Sequence, residues 1–580
     1  MSTTTAGMGT RVRFGTRTEL EARGCLVGKV GTQPVCVFWN EGRARAVDDR
    51  CPHMGFPLHR GTVEAGLLTC HWHHARFDLS SGGTLDPFAD DVRVYPVELE
   101  HEDVVVVVEP EPDRAAHHRR RLEEGLEQGL TLVIAKAVLG LLAAGVEPVE
   151  IVRVGVEFGT TYRGAGWGAG LTVLVAMANV LESLDPEDRT LALVQGLAFV
   201  SRDTTGRPPR FPLTPLATRD VPIDRLCDWY RRFVETRSAD AAERTLLSAI
   251  ATGPPEDVAA MMAAAATDHV FLDQGHTLDF TNKAFEATDH LGDATASVVL
   301  PTVVAQTAGA RRHEEEGPWR HPHDLAAMIG DVEARLPSLL EAGGSGASRL
   351  ADGDVAALAW RILADDPREV SDSLCDAITG GATPEQLSRA VALAAGLRIT
   401  RFHTRNDHGD WDVVHHGFTT ANALHRSLVR SPSPELVRGV FHLAFKVFLD
   451  RFLNVPAARL PTAESGDLDG LQVCWDAQGG VDEAGAIVYG YLRSGGDARR
   501  LVAALGGALL AEDAGFHWFQ TYEAAVRQAS AWPQGSEEAA LVLVGAARFL
   551  AAHTPTRREL PQVVRTAARL RRGEALFEDE

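Results

Sequence analysis

Two short segments, Cys51-Pro52-His53 and Cys70-His71-Trp72-His73, each bring one thiol and one imidazole within reach of a single point, and 16 residues separate His53 from Cys70. This pattern, C-x-H-x16-C-x-x-H, constrains the fold more than any other feature of the chain. Each pair must sit on a tight loop, and the chain must fold back so that the two loops clamp one centre from opposite sides. A Cys2His2 set also suits tetrahedral zinc. Zinc, however, leaves Gly55, Pro57 and the surrounding strand-forming runs without a reason. The other chemistry that uses this donor set is an iron–sulfur cluster with thiolates on one iron and imidazoles on the other.

The residues around the motif read as β structure. Short β-prone runs at Arg11–Phe14, Cys25–Val30, Pro34–Trp39, Arg43–Val47, Val92–Glu98 and Val104–Val108 are separated by turn chemistry, most clearly Asn40-Glu41-Gly42 and Ser81-Gly82-Gly83. Closely spaced strands of this kind predict a small antiparallel barrel or sandwich.

Together, motif and strands resemble the Rieske family over roughly residues 10–110. The resemblance implies a [2Fe-2S] cluster held by Cys51, His53, Cys70 and His73. High-potential members have a further cysteine in each loop, forming a disulfide, and a serine and a tyrosine that donate to the cluster and its cysteine sulfur. This chain has Phe56 and Trp72 in the loops, then Ala75 and Phe77, so the disulfide and both hydroxyl donors are missing. Fewer hydrogen bonds to sulfur disfavour the reduced, more negative cluster, which predicts a low potential of the ferredoxin and oxygenase type.

Beyond Glu109-Pro110-Glu111-Pro112-Asp113 the pattern changes to long Ala- and Leu-rich runs of helical period. The expected organisation is an all-β Rieske domain at 1–110, a linker at 111–128, and a large, mainly α-helical domain whose halves, 129–342 and 349–580, are divided at Gly343–Ser348. Val149–Phe158 reads as an isolated strand before a Gly-rich turn. At 580 residues several domains are expected. The net charge of −22 argues against nucleic acid and anionic membranes as partners. Seven scattered cysteines do not describe a disulfide framework, no secretory signal is visible, and the apolar windows fall short of a spanning helix. The expectation is a cytoplasmic protein.

A low-potential cluster fused to a large second domain implies a destination for its electrons there. The D-x-x-H-x4-H iron pattern of Rieske oxygenases is absent: Asp273-x-x-His276 and Asp412-x-x-His415 begin it, but Thr281 and Thr420 occupy the last position. Histidines gather elsewhere. His269, His276, Lys283 and His290 recur every seven residues, one stripe of a helix that Gly275 interrupts. Asp412, His415, Thr419 and Asn422 share a face, as do Asp513, His517 and Gln520, and His442 and Lys446 form an i, i+4 pair. Imidazoles from different helices meeting in an apolar bundle make a mononuclear iron site.

The segments around His276, His416-Gly417-Phe418-Thr419-Thr420-Ala421 and His517 resemble the questin oxidase-like family, helical proteins that include non-haem iron oxygenases. That resemblance implies His276, His416 and His517 as ligands of a non-haem Fe(II), with His403, His415 and a modified Lys283 or Lys446 in reserve. The function expected is an oxygenase, fed by a reductase or ferredoxin, that uses O2 on a small organic substrate, aromatic or polyketide. Phe280, Phe285, Phe418, Phe445 and Trp518 are its expected pocket lining. The alternatives are a di-iron carboxylate centre built on the two D-x-x-H pairs, and an electron-transfer or redox-sensing protein with no second metal.

Overall fold

The computed structural model describes residues 10–108, 113–164, 166–218, 220–344, 349–462 and 466–576. It divides into two compact units, Met1–Ile151 with Gln562–Glu580, and Val152–Pro561.

The first unit is β-rich. Its strands are β1 (Thr10–Thr16), β2 (Cys25–Val30), β3 (Gln33–Asn40), β4 (Arg43–Asp48), β5 (Thr62–Glu64), β6 (Leu67–Thr69), β7 (Arg76–Asp78), β8 (Val94–Tyr95), β9 (Val97–Glu100) and β10 (Asp103–Val108). They form three antiparallel sheets, β1-β10-β9, β2-β3-β4-β8 and β5-β6-β7. Asn40 pairs with Arg43, leaving Glu41-Gly42 as a two-residue turn with both backbones left-handed, the hairpin geometry that matches strand twist. Val104 and Val106 of β10 are fully buried against Leu20, Val35 and Val37. A second core collects Leu58, Leu68 and Phe77 around Cys51 and Cys70. Each such side chain contributes about 1.5–3 kcal/mol on burial, which fixes the sheets that carry the two loops.

Several elements differ from the sequence reading. Helix Arg17–Arg23 was not expected; Thr16 and Glu19 form a capping box at its start. Most of the expected linker is a helix, Arg114–Gln128. Asp113 accepts hydrogen bonds from Ala115 and Ala116 at its N-terminus, and Leu122 and Leu126 are buried. Residues 109–112, where the domain boundary was expected, lie outside the described residues, as do 345–348 of the expected divider; helix Leu325–Gly344 runs up to the latter. Val149–Phe158 is helical within Pro148–Tyr162. Ile151, Val152, Val154 and Val156 are all buried, so burial on several sides rather than alternation set that valine-rich pattern. The expected helical half 349–580 also ends differently, because residues from Gln562 onward belong to the first unit. There Arg571 donates to the Leu139 carbonyl at 2.5 Å and Arg50 to that of Glu574 at 2.7 Å.

The second unit is helical. Helices His276–Leu291, His408–Arg430, Pro434–Leu449, Phe516–Ser530 and Glu537–His553 carry the histidine-rich groups. Asp407, Ser433 and Ser536 cap three of them, each accepting from a backbone N–H of the first turn. The His276 and Phe516 helices both pack on the long His408–Arg430 helix, which sets the meeting point of the imidazoles. No helix among the described residues is long and apolar enough to cross a membrane.

Candidate metal centres

Cys51 follows β4 and Cys70 follows β6, so each loop hangs from a strand end. The first loop closes through Cys51 N–H to the Phe56 carbonyl and Gly55 N–H to the Cys51 carbonyl, both 2.8 Å. Gly55 has φ of +84°, a conformation that costs other residues. The second loop closes through Cys70 N–H to the Ala75 carbonyl at 2.9 Å. The His53 and His73 rings meet edge to face with centroids 4.8 Å apart.

The two sulfurs are hydrogen-bonded to each other. Cys51 also receives the backbone N–H groups of His53 and Met54, and Cys70 those of Trp72 and His73. The Cys51 S–H therefore holds Cys70 well below an ordinary thiol, at about 6. His53 is held neutral, its pKa lowered to about 4 first by burial, then by Lys136 and His73, and its Nδ1 is buried with no hydrogen-bond partner among the described residues. Two paired thiols, two neutral imidazoles and an orphaned ring nitrogen fit a [2Fe-2S] cluster.

Ala75 and Phe77 are fully buried, and neither offers a hydroxyl. Lys136, in helix Thr131–Ala143, is a residue that the sequence reading missed. Its Nζ donates to the carbonyls of Pro52, at 2.8 Å, and His53. A midpoint near the lower end of the Rieske range, about −150 mV, is expected by protein-film voltammetry. Lys136→Met should lower it by tens of millivolts, since removing a cation worth on the order of 1 kcal/mol disfavours the added electron. A midpoint well above zero would contradict the first expectation, and an unchanged midpoint in the variant the second.

In the helical unit the chain enters the His276 helix through a left-handed stretch. Phe271, Asp273 and Gln274 all have φ between 47° and 58°. Gly275, at 91°, caps the helix, and a Cβ there would stand 1.9 Å from Thr420 Oγ1. Three non-glycine residues so placed cost on the order of 1–3 kcal/mol each. Reciprocal hydrogen bonds hold them: Asp273 N–H to the Arg311 carbonyl at 3.0 Å and Arg311 N–H to Asp273 Oδ1 at 2.9 Å. The helix therefore begins at His276, and the expected seven-residue stripe excludes His269. That residue instead bridges Glu235 and Glu314 at 2.6 Å each.

One ring nitrogen from each of His276, His416 and His517 lies within 4.8 Å of the other two. Ring centroids are 4.9 Å apart for His276–His416 and 4.7 Å for His416–His517, and His276 stacks on Phe280 at 5.1 Å. Burial, then neighbouring imidazoles, lowers the pKa of His276 to about 4 and of His416 to about 2. Both are therefore neutral donors at ordinary pH. A second group of the same span comprises Asp412, His415 and His517.

Below the histidines lies a buried charge cluster. Lys283 Nζ donates to Glu286 at 2.8 Å and to Glu523 at 3.0 Å, and Asn179 donates to both carboxylates. Asp279, one turn along from His276, accepts from Gln520, and burial raises its pKa to about 7. The reserve ligands are engaged elsewhere. Lys283 is the ammonium of this cluster, Lys446 pairs with Asp450, and His403 Nδ1 accepts from Arg405 N–H at 3.1 Å. Asp513, expected on the His517 face, precedes that helix and accepts from the N–H groups of Glu559 and Leu560. Of the expected lining, Phe418 and Phe445 are buried core, and Phe285 lines a separate cleft with Leu300 and Arg430. A cleft of about 600 Å³ is lined by Trp319, Val413, Lys446, Leu449 and Phe452.

Residues 10–96 match the Rieske [2Fe-2S] domain. Over 88 residues the chain is 32% identical to the ferredoxin component of the naphthalene 1,2-dioxygenase/salicylate 5-hydroxylase systems of a Ralstonia species, a match covering 15% of this chain and 85% of that protein. The chain belongs to the Rieske [2Fe-2S] proteins. This Rieske protein is also 33% identical over 79 residues to mouse apoptosis-inducing factor 3, spanning only 13% of that protein's length and 13% of its own. Among solved structures, the ferredoxin of carbazole 1,9a-dioxygenase from Nocardioides aromaticivorans aligns at 25% identity, covering 17% of this chain and 99% of that one, with a TM-score of 0.17. The Rieske domain implies a [2Fe-2S] cluster and an electron-transfer role.

Proposed function

We propose that the chain is a Rieske oxidoreductase of the oxygenase type, with Cys51, His53, Cys70 and His73 holding the cluster and His276, His416 and His517 holding a non-haem Fe(II) in the helical unit. The observation that carries this reading is the convergence of three imidazoles, from three helices, within 4.8 Å. When bound, the cluster supplies single electrons and the iron supplies O2 activation.

The residues do the rest. Burial keeps His276 and His416 unprotonated, Phe280 and Phe516 shield the His276 ring from water, and the Asp279–Gln520 pair fixes the polar layer beneath. A small organic substrate is assigned to the cleft beside Trp319 and Phe452. The likeness to a ferredoxin component favours a second reading, a pure electron carrier fed by a reductase.

Iron and acid-labile sulfide analysis separates the two. More than about two irons for two sulfides supports the oxygenase reading, and about two irons supports the carrier. His276→Ala and His416→Ala should each lose about one iron while the reduced-cluster EPR signal is unchanged. Unchanged iron in both variants would remove these ligands from consideration.

A further inference from the structure

The first unit holds a second pair of thiols, apart from those at the cluster site. Cys25 opens β2, and Cys36 lies within its antiparallel neighbour β3. Cys25 stands opposite Phe38 and Val27 opposite Cys36, so both cysteines are on one face, a diagonal step apart. Their sulfurs are hydrogen-bonded to each other, and neither is in a disulfide. β2 is hydrogen-bonded on one side only, to β3, so it is the strand that yields when a disulfide draws the two Cβ atoms together.

The two sulfurs differ in access. Cys25 is partly exposed on this outer strand, and its Sγ lies 3.7 Å from the Leu26 carbonyl. Cys36 is 0% exposed, in the core that also contains Cys51 and Cys70. Burial, then the hydrogen bond to Cys25, pushes the Cys36 thiol well above its ordinary range, so Cys36 donates and the Cys25 sulfur accepts. A small neutral oxidant therefore meets Cys25 first, and the group formed there has a protected thiol against it. A sulfenic acid with a neighbouring thiol condenses to a disulfide.

We propose that Cys25 and Cys36 are a reversible redox pair, closed to a disulfide by a hydroperoxide while the cluster stays intact. The Cys25 sulfur attacks one oxygen of hydrogen peroxide and the O–O bond breaks. Cys25 becomes a sulfenic acid, and the other oxygen leaves as water with the thiol proton. The Cys36 sulfur then attacks the Cys25 sulfur, the S–O bond breaks, and that hydroxyl leaves as water with the Cys36 proton. Two thiols lose two electrons, and one peroxide is reduced to two waters. The proposal goes beyond the oxygenase reading and does not rest on it.

The test uses the full chain with its cluster, treated without oxygen with about one equivalent of hydrogen peroxide, then denatured, alkylated and digested with trypsin. Lys29 lies between the two cysteines, so cleavage there places them on separate peptides, Gly24–Lys29 and Val30–Arg43. Mass spectrometry should find these peptides joined in most chains, with the cluster absorbance unchanged, and dithiothreitol should separate them. Cys25→Ser should abolish the link and leave Cys36 alkylated. Cys36→Ser, which lacks the second thiol, should hold Cys25 as a sulfenic acid that dimedone traps. Both cysteines alkylated after peroxide would overturn the proposal. So would sulfinic acid at Cys25 in the native chain, a link between two chains seen as a doubled mass in non-reducing gels, or bleaching of the cluster before the peptides join. Should a variant fail to fold, the native chain decides alone, because the joined peptides require no substitution.

Discussion

Lys283→Met is expected to destabilise the helical unit by about 3–5 kcal/mol, a large part of the roughly 5–15 kcal/mol available to a folded domain. Glu286 and Glu523 are 2% and 1% exposed, and the Lys283 ammonium sits between them. Removing the cation leaves Arg527 as the remaining charge partner for two buried carboxylates. The ammonium, with Arg527, now holds Glu286 down to about 2 against the opposing effect of burial. In the variant, burial dominates and the carboxylates take up protons to remain inside. The loss should therefore be larger at pH 8 than at pH 5, where protonation relieves it. Urea unfolding followed by circular dichroism reads both effects. Adding Glu286→Gln and Glu523→Gln should recover part of the stability, since amides carry no buried charge. A Lys283→Met loss below about 1 kcal/mol would show that the cluster contributes little beyond packing.

Acid should weaken the metal-free protein through its buried imidazoles, whose combined effect exceeds the opposing uptake of a proton by buried Asp279. His276 and His416 have folded-state pKa values depressed to about 4 and about 2, and that of His415 is pushed well below the usual imidazole range, by burial first in each case. In the unfolded chain all three take up protons near pH 6.5. Between that pH and the folded values the unfolded state binds more protons, so stability falls as pH falls. Each group contributes about 1.4 kcal/mol per pH unit within its window, and His276 alone costs about 3 kcal/mol by pH 4. Thermal unfolding of chelator-treated protein at pH 7.5, 6.5 and 5.5 should show Tm flat over the first step and dropping over the second. Fe(II) requires the same unprotonated nitrogens, so its stabilisation should be larger at pH 7.5 than at pH 5.5. A Tm independent of pH across this range would mean that the imidazoles are not held neutral by burial.

The sequence was most legible where ligands lie close together along the chain. Cys51-x-His53 and Cys70-x-x-His73 announce two loops from spacing alone, and the flanking runs correspond to β1–β4 and β8–β10. β5, β6 and β7, which carry the second loop, are three residues each and too short for alternation to register. Long-range contacts account for most other differences. The start of the helix at His276 depends on Arg311, 38 residues from its partner Asp273, and the role of Lys136 depends on loop carbonyls 83 and 84 residues before it. His553 was passed over because a lone histidine at the end of an Ala- and Leu-rich helix carries no periodic signal. Only the fold brings Asp412 opposite it. The polar face Asp412, His415, Thr419 and Asn422 was legible, because His415, Thr419 and Asn422 are buried on a helix whose other positions would suffice for packing.

The return of residues from Gln562 onward to the unit begun by the first 151 has a consequence for biosynthesis. During translation the strands around Cys51 and Cys70 emerge early, yet Arg50 and Leu139 wait for Glu574 and Arg571, more than 400 residues later. At about 5–20 residues per second this interval lasts tens of seconds to over a minute. Over that time the nascent chain presents two thiols in an unfinished setting. The contacts made by Gln562 onward are therefore the last of this unit to form, after the whole helical unit has been synthesised.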